Sequence, residues 1–424
     1  MIRKIKRFFK SLGPGIITGA ADDDPAGTAT YSQAGAQFGY GQLWTAVFLL
    51  PFMTAVQEAC ARIGAATGKG LAEIIKENYS KKILYGAVIL VVLANTINIG
   101  ADIGALGAAA NLVLPISFPV LILGFTALIL ILEIFISYRA YAKFLKWLTL
   151  ALLAYPLTVF LMDQPWGEIL RATFVPNIEF SFAFLFIITG VFGTTISPYM
   201  FFWQASEEVE EEKARKLIHH GEPRLTKRFM KLLRLDNFSG MFFSQIAAWS
   251  ILVVAATVLH GNGITNVSTA ADAARALEPL VQTFANAGFL AKLIFAAGII
   301  GLGLLAIPVL SASASYALSE ALNWKEGLNR QFKKAHGFYG VITIATLIGL
   351  TINFIGIDPI QALIFAAVFN GVAAVPLLFL IARISANKKI MGEWSGGALS
   401  KTLIWATFGI MSISALSMLY LLVF

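Results

Sequence analysis

Apolar residues in this chain come in long, nearly unbroken runs divided by short charged stretches, a pattern of buried or lipid-facing helices. Eleven runs are long enough to span a bilayer. They are Leu12–Phe38, Leu43–Gly64, Ile83–Leu114, Phe118–Ile136, Tyr141–Met162, Phe182–Gln204, Phe238–Leu259, Phe289–Leu318, Phe338–Gly356, Ile360–Ile384 and Leu403–Phe424. The first run is interrupted by Asp22, Asp23 and Asp24, followed at once by Pro25. Each carboxylate at bilayer depth costs roughly 2.5–3.5 kcal/mol even on insertion scales. The proline removes a backbone donor and breaks the helix. Such a break survives in hydrocarbon only where protein buries it or a wet cavity meets it. Acidic side chains beside freed carbonyls form a hard-oxygen cradle for a cation, so the pattern predicts an ion transporter. In the competing reading, Asp22–Asp24 is a solvated loop between two interfacial segments. That would carry the basic stretch from Arg62 to Lys82 outside, against the positive-inside rule.

Composition agrees with a polytopic membrane protein: 58% hydrophobic, only 13% charged residues and a mean hydropathy of +0.75, far from soluble usage. The net charge of +8 is explained by placement rather than by nucleic acid. With the N-terminus inside, 29 of the 32 Lys and Arg fall on the cytoplasmic side, leaving Arg171, Arg275 and Lys292 at the outer face. The expected location is therefore the plasma membrane, in a prokaryotic setting, with the N-terminus cytoplasmic and the C-terminus external. Cys60 stands alone and makes no intrachain disulfide. The basic start is no cleavable signal, since Asp22–Pro25 interrupts any apolar core of one.

Ile16-Ile17-Thr18-Gly19 recurs as Ile187-Ile188-Thr189-Gly190, and the same offset of 171 carries Gln33-Ala34 onto Gln204-Ala205. Each copy holds a proline, Pro25 or Pro198. The topology runs the first helix inside to outside and the sixth outside to inside, so five-helix units are inverted. Broken helices at matching places in inverted halves point to a secondary-transporter binding site. The expectation is an all-α membrane protein with two inverted five-helix repeats plus an eleventh helix. The first and sixth helices are broken. Residues 1–384 would form the core, with repeats at 12–162 and 182–384, and 385–424 a cytoplasmic loop and the last helix. In the sixth run, Gly193-Thr194-Thr195-Ile196-Ser197-Pro198-Tyr199 offers hydroxyl and carbonyl oxygens. Ser and Thr there have an alternative role, packing between helices and bonding to their own backbone.

These residues also resemble a known family. Gly13-Pro14-Gly15, Asp24-Pro25, Ala29-Thr30, Gln33-Ala34-Gly35-Ala36, Gly39-Tyr40 and Leu43-Trp44 resemble the first helix of the Nramp family. Ala61-Arg62-Ile63-Gly64, Thr67-Gly68-Lys69 and Leu71-Ala72 resemble its second helix and following loop. The resemblance implies a leucine-transporter-type fold and transport of divalent transition metals, commonly with protons; the metal is cargo, and no cofactor is implied. Asp24 is retained from the family's Asp-Pro-Gly-Asn motif, but Gly27 stands where an amide ligand is expected. Ser197-Pro198-Tyr199 replaces Met-Pro-His, the carbonyl ligand falls on Thr194, and a second family histidine falls on Gln204.

The loss of a soft thioether at Ser197 removes a filter that favours Mn, Fe and Cd, and Gly27 opens space. Mg²⁺ sheds water reluctantly and contacts only one or two carboxylates. An oxygen-only site with Asp24, and with Asp23 as a further candidate, suits partly hydrated Mg²⁺. The pattern resembles the Nramp-related magnesium transporter branch, which takes Mg²⁺ and Mn²⁺. None of the four histidines (His219, His220, His260, His336) falls near the site, so proton coupling is not expected. Candidate helpers or proton-pathway groups are Asp102, Glu58, Tyr199 and Gln204. Asp22 and Glu133 are further acids at membrane depth, each also open to a structural role. Asn370 is a site candidate whose alternative is packing. Glu207–Glu212 and then Lys213–Arg234 read as a solvated connector, although Glu207, Glu208 and Glu210 at the inner exit would concentrate cations. The rivals are a proton-coupled Mn²⁺/Fe²⁺ transporter, an amino-acid transporter of the same fold, an intramembrane aspartyl hydrolase and a channel. The expected partners are divalent ions and lipid, with the oligomeric state open and a monomer one option.

Overall fold

The computed structural model describes residues 14–136, 153–219, 222–223, 225–328, 330 and 332–423. The helices run α1 (Pro14–Asp22), α2 (Pro25–Phe38), α3 (Trp44–Thr67), α4 (Leu71–Asn78), α5 (Lys81–Asn111), α6 (Phe118–Phe135), α7 (Ala154–Leu161) and α8 (Trp166–Phe174). They continue with α9 (Phe182–Thr195), α10 (Pro198–Ala214), α11 (Lys227–Val254), α12 (Ala270–Arg275), α13 (Glu278–Val281), α14 (Ala287–Leu322), α15 (His336–Ile352), α16 (Pro359–Ala386), α17 (Lys388–Met391) and α18 (Ala398–Val423). Two-residue strands, β1 (Ile218–His219) and β2 (Glu222–Pro223), pair antiparallel between α10 and α11. Among the described residues, eight spans are long and apolar enough to cross a membrane, Phe182–Ala214 counting as one across its break, and His336–Ile352 is a shorter apolar helix. The expected fifth crossing, Tyr141–Met162, lies mostly outside the described residues; α7 is its described end.

Both expected breaks are present, and the prolines explain them. A residue before proline is pushed out of the helical region. Asp24 is extended (φ −64°, ψ 174°), and so is Ser197 (φ −87°, ψ 141°). Pro25 and Pro198 then open α2 and α10, where a missing N–H is harmless. The first half of each broken helix packs against the second half of the other: α1 on α10 and α2 on α9. That arrangement is antiparallel, as inverted repeats require. Close backbone approach holds the short α1 in place. A Cβ on Gly19 would lie 2.6 Å from Gly240 Cα, and one on Gly15 would lie 2.7 Å from the Asn237 nitrogen. The Gly15 N–H donates to Asp236 at 2.7 Å, so α11 both packs and caps α1.

Two boundaries differ from the expected ones. α11 begins at Lys227, well before the apolar run that starts at Phe238, because a basic first stretch remains helical once one face packs. α10 continues through Glu207–Glu212, which the charge pattern assigned to a solvated connector. Glu208, Glu210 and Glu212 are instead buried. Glu320, at the end of α14, accepts from Ser206 at 2.8 Å and from the Ala72 N–H at 2.9 Å. It thereby joins α10 to the start of α4.

Candidate metal site

The site forms where the breaks face each other. The end of α1 and the end of α9 each leave carbonyls without intrahelical partners, and negative ends of two helix dipoles converge there. Asp24 caps α2: its Oδ1 accepts from the Gly27 N–H at 2.7 Å. Its Oδ2 accepts from Asn98 Nδ2 of α5 at 3.2 Å, and Asn98 Oδ1 in turn accepts from Asn370 of α16 at 3.3 Å. The Tyr199 hydroxyl stands 3.5 Å from Asp24 Oδ2 but donates to the Ala21 carbonyl at 2.9 Å. Gly27 faces across the break, since a Cβ there would lie 3.0 Å from Thr194 Oγ1, 3.2 Å from the Asp22 carbonyl oxygen and 3.5 Å from Asp24 Oδ1. Asp24, Gly27 and Thr194 are therefore brought together. The space left at Gly27 is bounded by these oxygens and is narrow in this conformation.

Ser197 turns back on its own helix, its hydroxyl 2.5 Å from the Gly193 carbonyl and 2.9 Å from the Thr194 carbonyl. The backbone role of such hydroxyls describes Ser197 here, while Thr194 presents its carbonyl beside it. Asp23 and Asp22 share Ser244 of α11. Ser244 lies 3.3 Å from Asp23 Oδ1 and donates to Asp22 Oδ2, whose other oxygen has no hydrogen-bond partner. Asp102 lies one helical turn beyond Asn98, about 6 Å along α5, with neither carboxyl oxygen hydrogen-bonded. Asp22, Asp23, Asp24 and Asp102 are at most 4% exposed. Among the described residues no Lys, Arg or His pairs with any of them. Buried carboxylates without a counter-ion are costly. The chemistry of this cluster is to take a cation, metal or proton.

Gln204 accepts from Thr18 of α1 at 2.5 Å and donates to Glu208 at 3.0 Å, tying α1 to α10 below the break. Glu58, expected as a candidate helper, is paired with Arg62 (3.0 Å) and Arg234 (2.9 Å). Glu133 accepts from Ser311 of α14. His260 lies 2.8 Å from the Ala36 carbonyl and His336 packs edge-on to Phe332; neither bonds to the Asp24 cluster. The sequence reading missed Asn98 as a site residue. An asparagine in an apolar run looks the same whether it packs or points at a carboxylate. Its spacing of four from Asp102 was the available signal. Among the described residues no group of three or more His, Cys, Asp and Glu has the arrangement of a metal centre, so any ion held by Asp24 relies mainly on carbonyl, amide and water oxygens.

Antiparallel broken helices around buried, unpaired carboxylates define the inverted-repeat architecture of secondary transporters. The model of the family described as natural resistance-associated macrophage protein-like, Nramp, matches residues 15–421. The divalent metal cation transporter MntH of Caldanaerobacter subterraneus subsp. tengcongensis is 26% identical over 94% of this chain and 90% of its own. A crystal structure of the Eremococcus coleocola manganese transporter, in complex with an aromatic bis-isothiourea compound, superposes with a TM-score of 0.76. It covers 97% of this chain and 86% of that one at 15% identity. MhsT in complex with L-phenylalanine gives a TM-score of 0.57 at 13% identity, covering 96% and 97% of the two chains. The chain belongs to the Nramp family. It is a membrane transporter, not an enzyme, and has the leucine-transporter-type fold.

Proposed function

We propose that this chain is a secondary transporter for divalent cations, moving Mg²⁺ and also Mn²⁺ by alternating access through a site built on Asp24. The observation that carries the reading is the buried Asp24 carboxylate at the first break, facing Thr194 across Gly27. Its neighbours are polar and uncharged: the Asn98 amide, itself bonded to Asn370, the Thr194 hydroxyl and the Asp22 carbonyl. Among the described residues no thioether or imidazole bonds to Asp24. Hard oxygens with one or two carboxylates suit Mg²⁺, which keeps part of its water; soft ligands would favour transition metals. The metal is cargo, and a partly hydrated ion requires the two breaks to part from their present contact. The relatives named MntH are divalent metal cation transporters, which supports the substrate class. The choice of Mg²⁺ rests on Gly27 and Ser197.

In this reading the N-terminus is cytoplasmic and the C-terminus external, in a plasma membrane. Residues 1–384 are the transporter core, with repeats at 12–162 and 182–384, and 385–424 an added loop and helix. Transport proceeds without proton movement, since Tyr199 and Gln204 stand where family histidines are expected. A second reading, a proton-coupled Mn²⁺ or Fe²⁺ transporter, is favoured by one observation: Asp102 is buried with both oxygens free one turn from Asn98. Uptake into proteoliposomes with Mg²⁺, Mn²⁺ and Ca²⁺ side by side tests the proposal. Saturable Mg²⁺ uptake inhibited by Mn²⁺ supports it, while Mn²⁺ uptake with no Mg²⁺ flux refutes the selectivity.

A further inference from the structure

We infer that a groove between α3, α11 and the start of α18 binds an anionic phospholipid, its phosphodiester at Arg234 and its chains along α3 and α11. The groove has a volume of about 480 Å³ and is distinct from the Asp24 cluster. One end is polar, with Glu58, Arg62, Arg234, Gly396, Gly397 and Ser400; the other is apolar, with Pro51, Ala55, Phe238 and Leu403. Two guanidinium groups against one carboxylate leave a single positive charge, which matches a phosphodiester monoanion. Arg62 is 1% exposed and fully engaged: Nε bonds Glu58, one terminal nitrogen the Trp394 carbonyl at 2.8 Å and the other Ser400 at 3.3 Å. Arg234 differs. Its side chain is 59% exposed and only its Nε engages Glu58, at 2.9 Å, so the outer edge of its guanidinium faces the groove mouth. A guanidinium presents a planar fork suited to phosphate oxygens.

The depth is that of a headgroup. α11 carries Lys227, Arg228, Lys231 and Arg234 in its first turns. One turn later Phe238 is 47% exposed, followed by exposed Phe242 and Phe243. A change from exposed basic to exposed aromatic side chains within a turn marks the water–hydrocarbon boundary. Leu399, also lining the groove, is exposed as well. The first N–H groups of α18 at this end have no intrahelical acceptors and add positive potential. Charge complementarity and an apolar wall in one groove select an amphiphile with an anionic head over a soluble phosphate or an apolar peptide. The occupant joins α18 to α3 and α11 at the polar end, where Arg62 of α3 bonds Ser400 of α18 and the Trp394 carbonyl just before it.

The test uses the full chain in detergent and reads its thermal unfolding midpoint with added dioleoylphosphatidylglycerol, dioleoylphosphatidylcholine or inorganic phosphate. The phosphatidylglycerol shift should be about 3 °C at a hundredfold excess over its Kd, with no shift from the other two. Arg234→Glu, at an exposed position, should remove the shift. Gly397→Phe provides a second variant, because a Cβ at Gly397 meets nothing within 4 Å and the ring fills the groove. It should also remove the shift. An equal shift from phosphatidylcholine or from phosphate, or a phosphatidylglycerol shift retained in both variants, overturns the inference.

Discussion

The two broken helices are related by the repeat, yet they bring different chemistry to the same place. At the α1–α2 break the residue before proline is charged. Asp24 caps α2 with one oxygen and keeps the other for Asn98. At the α9–α10 break the residue before proline is neutral. Ser197 makes no cap to α10 and turns its hydroxyl onto the carbonyls of its own α9. The first break therefore supplies charge, and the second supplies carbonyl dipoles. Inverted symmetry reproduces the backbone geometry at both breaks and leaves the side chains free to specialise.

The largest effect expected from breaking this asymmetry is at Asp24. Asp24→Ala should lower divalent-cation uptake by on the order of 100-fold, the loss of about 3 kcal/mol from a charged ligand. Asp24→Asn separates the two tasks of that residue. Asparagine caps a helix about as well as aspartate, so stability should change by less than about 1 kcal/mol, while uptake still falls at least about tenfold. Uptake of both variants at the native level, measured with fluorescent dyes in proteoliposomes, would remove Asp24 from the site.

A smaller effect is expected on selectivity. Gly27→Asn with Ser197→Met places an amide and a thioether between the breaks. Cd²⁺ or Mn²⁺ should bind about tenfold tighter and Mg²⁺ transport should weaken. The Gly27 side has only 3.0 Å to Thr194 Oγ1, so the amide must displace that hydroxyl. Unchanged competition between Cd²⁺ and Mg²⁺ would show that these positions do not touch the ion. Coupling comes next. Internal pH followed while Mg²⁺ or Mn²⁺ enters should stay level. A metal-dependent acidification abolished by Asp24→Ala and reduced by Asp102→Asn would restore a symporter. The smallest effect belongs to Ser197→Ala. Its hydroxyl already bonds within α9, so the KM for Mg²⁺ should move by less than about threefold. A larger rise would make the hydroxyl itself a ligand.

The first break was legible because aspartate and proline inside an apolar run each contradict a plain membrane helix. The second was legible mainly by its likeness to the first. Asp24, Gly27 and Thr194 followed from those two segments, and the structure brings them together. What was not legible depends on which face of a helix a polar residue occupies. Asn98 and Asn370 look like packing residues until α5 and α16 are set beside Asp24. Glu58 looks like a lone membrane acid until Arg234, 176 positions away, comes to pair with it. Glu208 and Glu212 read as solvated because a charge run usually is; burial between α10 and its neighbours is a property of the tertiary fold alone.

The most direct test of the central claim, that Asp24 holds the transported ion between the breaks, is a crystal of the protein soaked in Mn²⁺ and measured at the manganese edge. The account predicts one anomalous peak within about 2.5 Å of an Asp24 carboxyl oxygen, between the Thr194 carbonyl and Gly27, and its loss in Asp24→Asn. A peak that persists in Asp24→Asn, or one that forms only at the acidic end of α10 around Glu208 and Glu212, would contradict it.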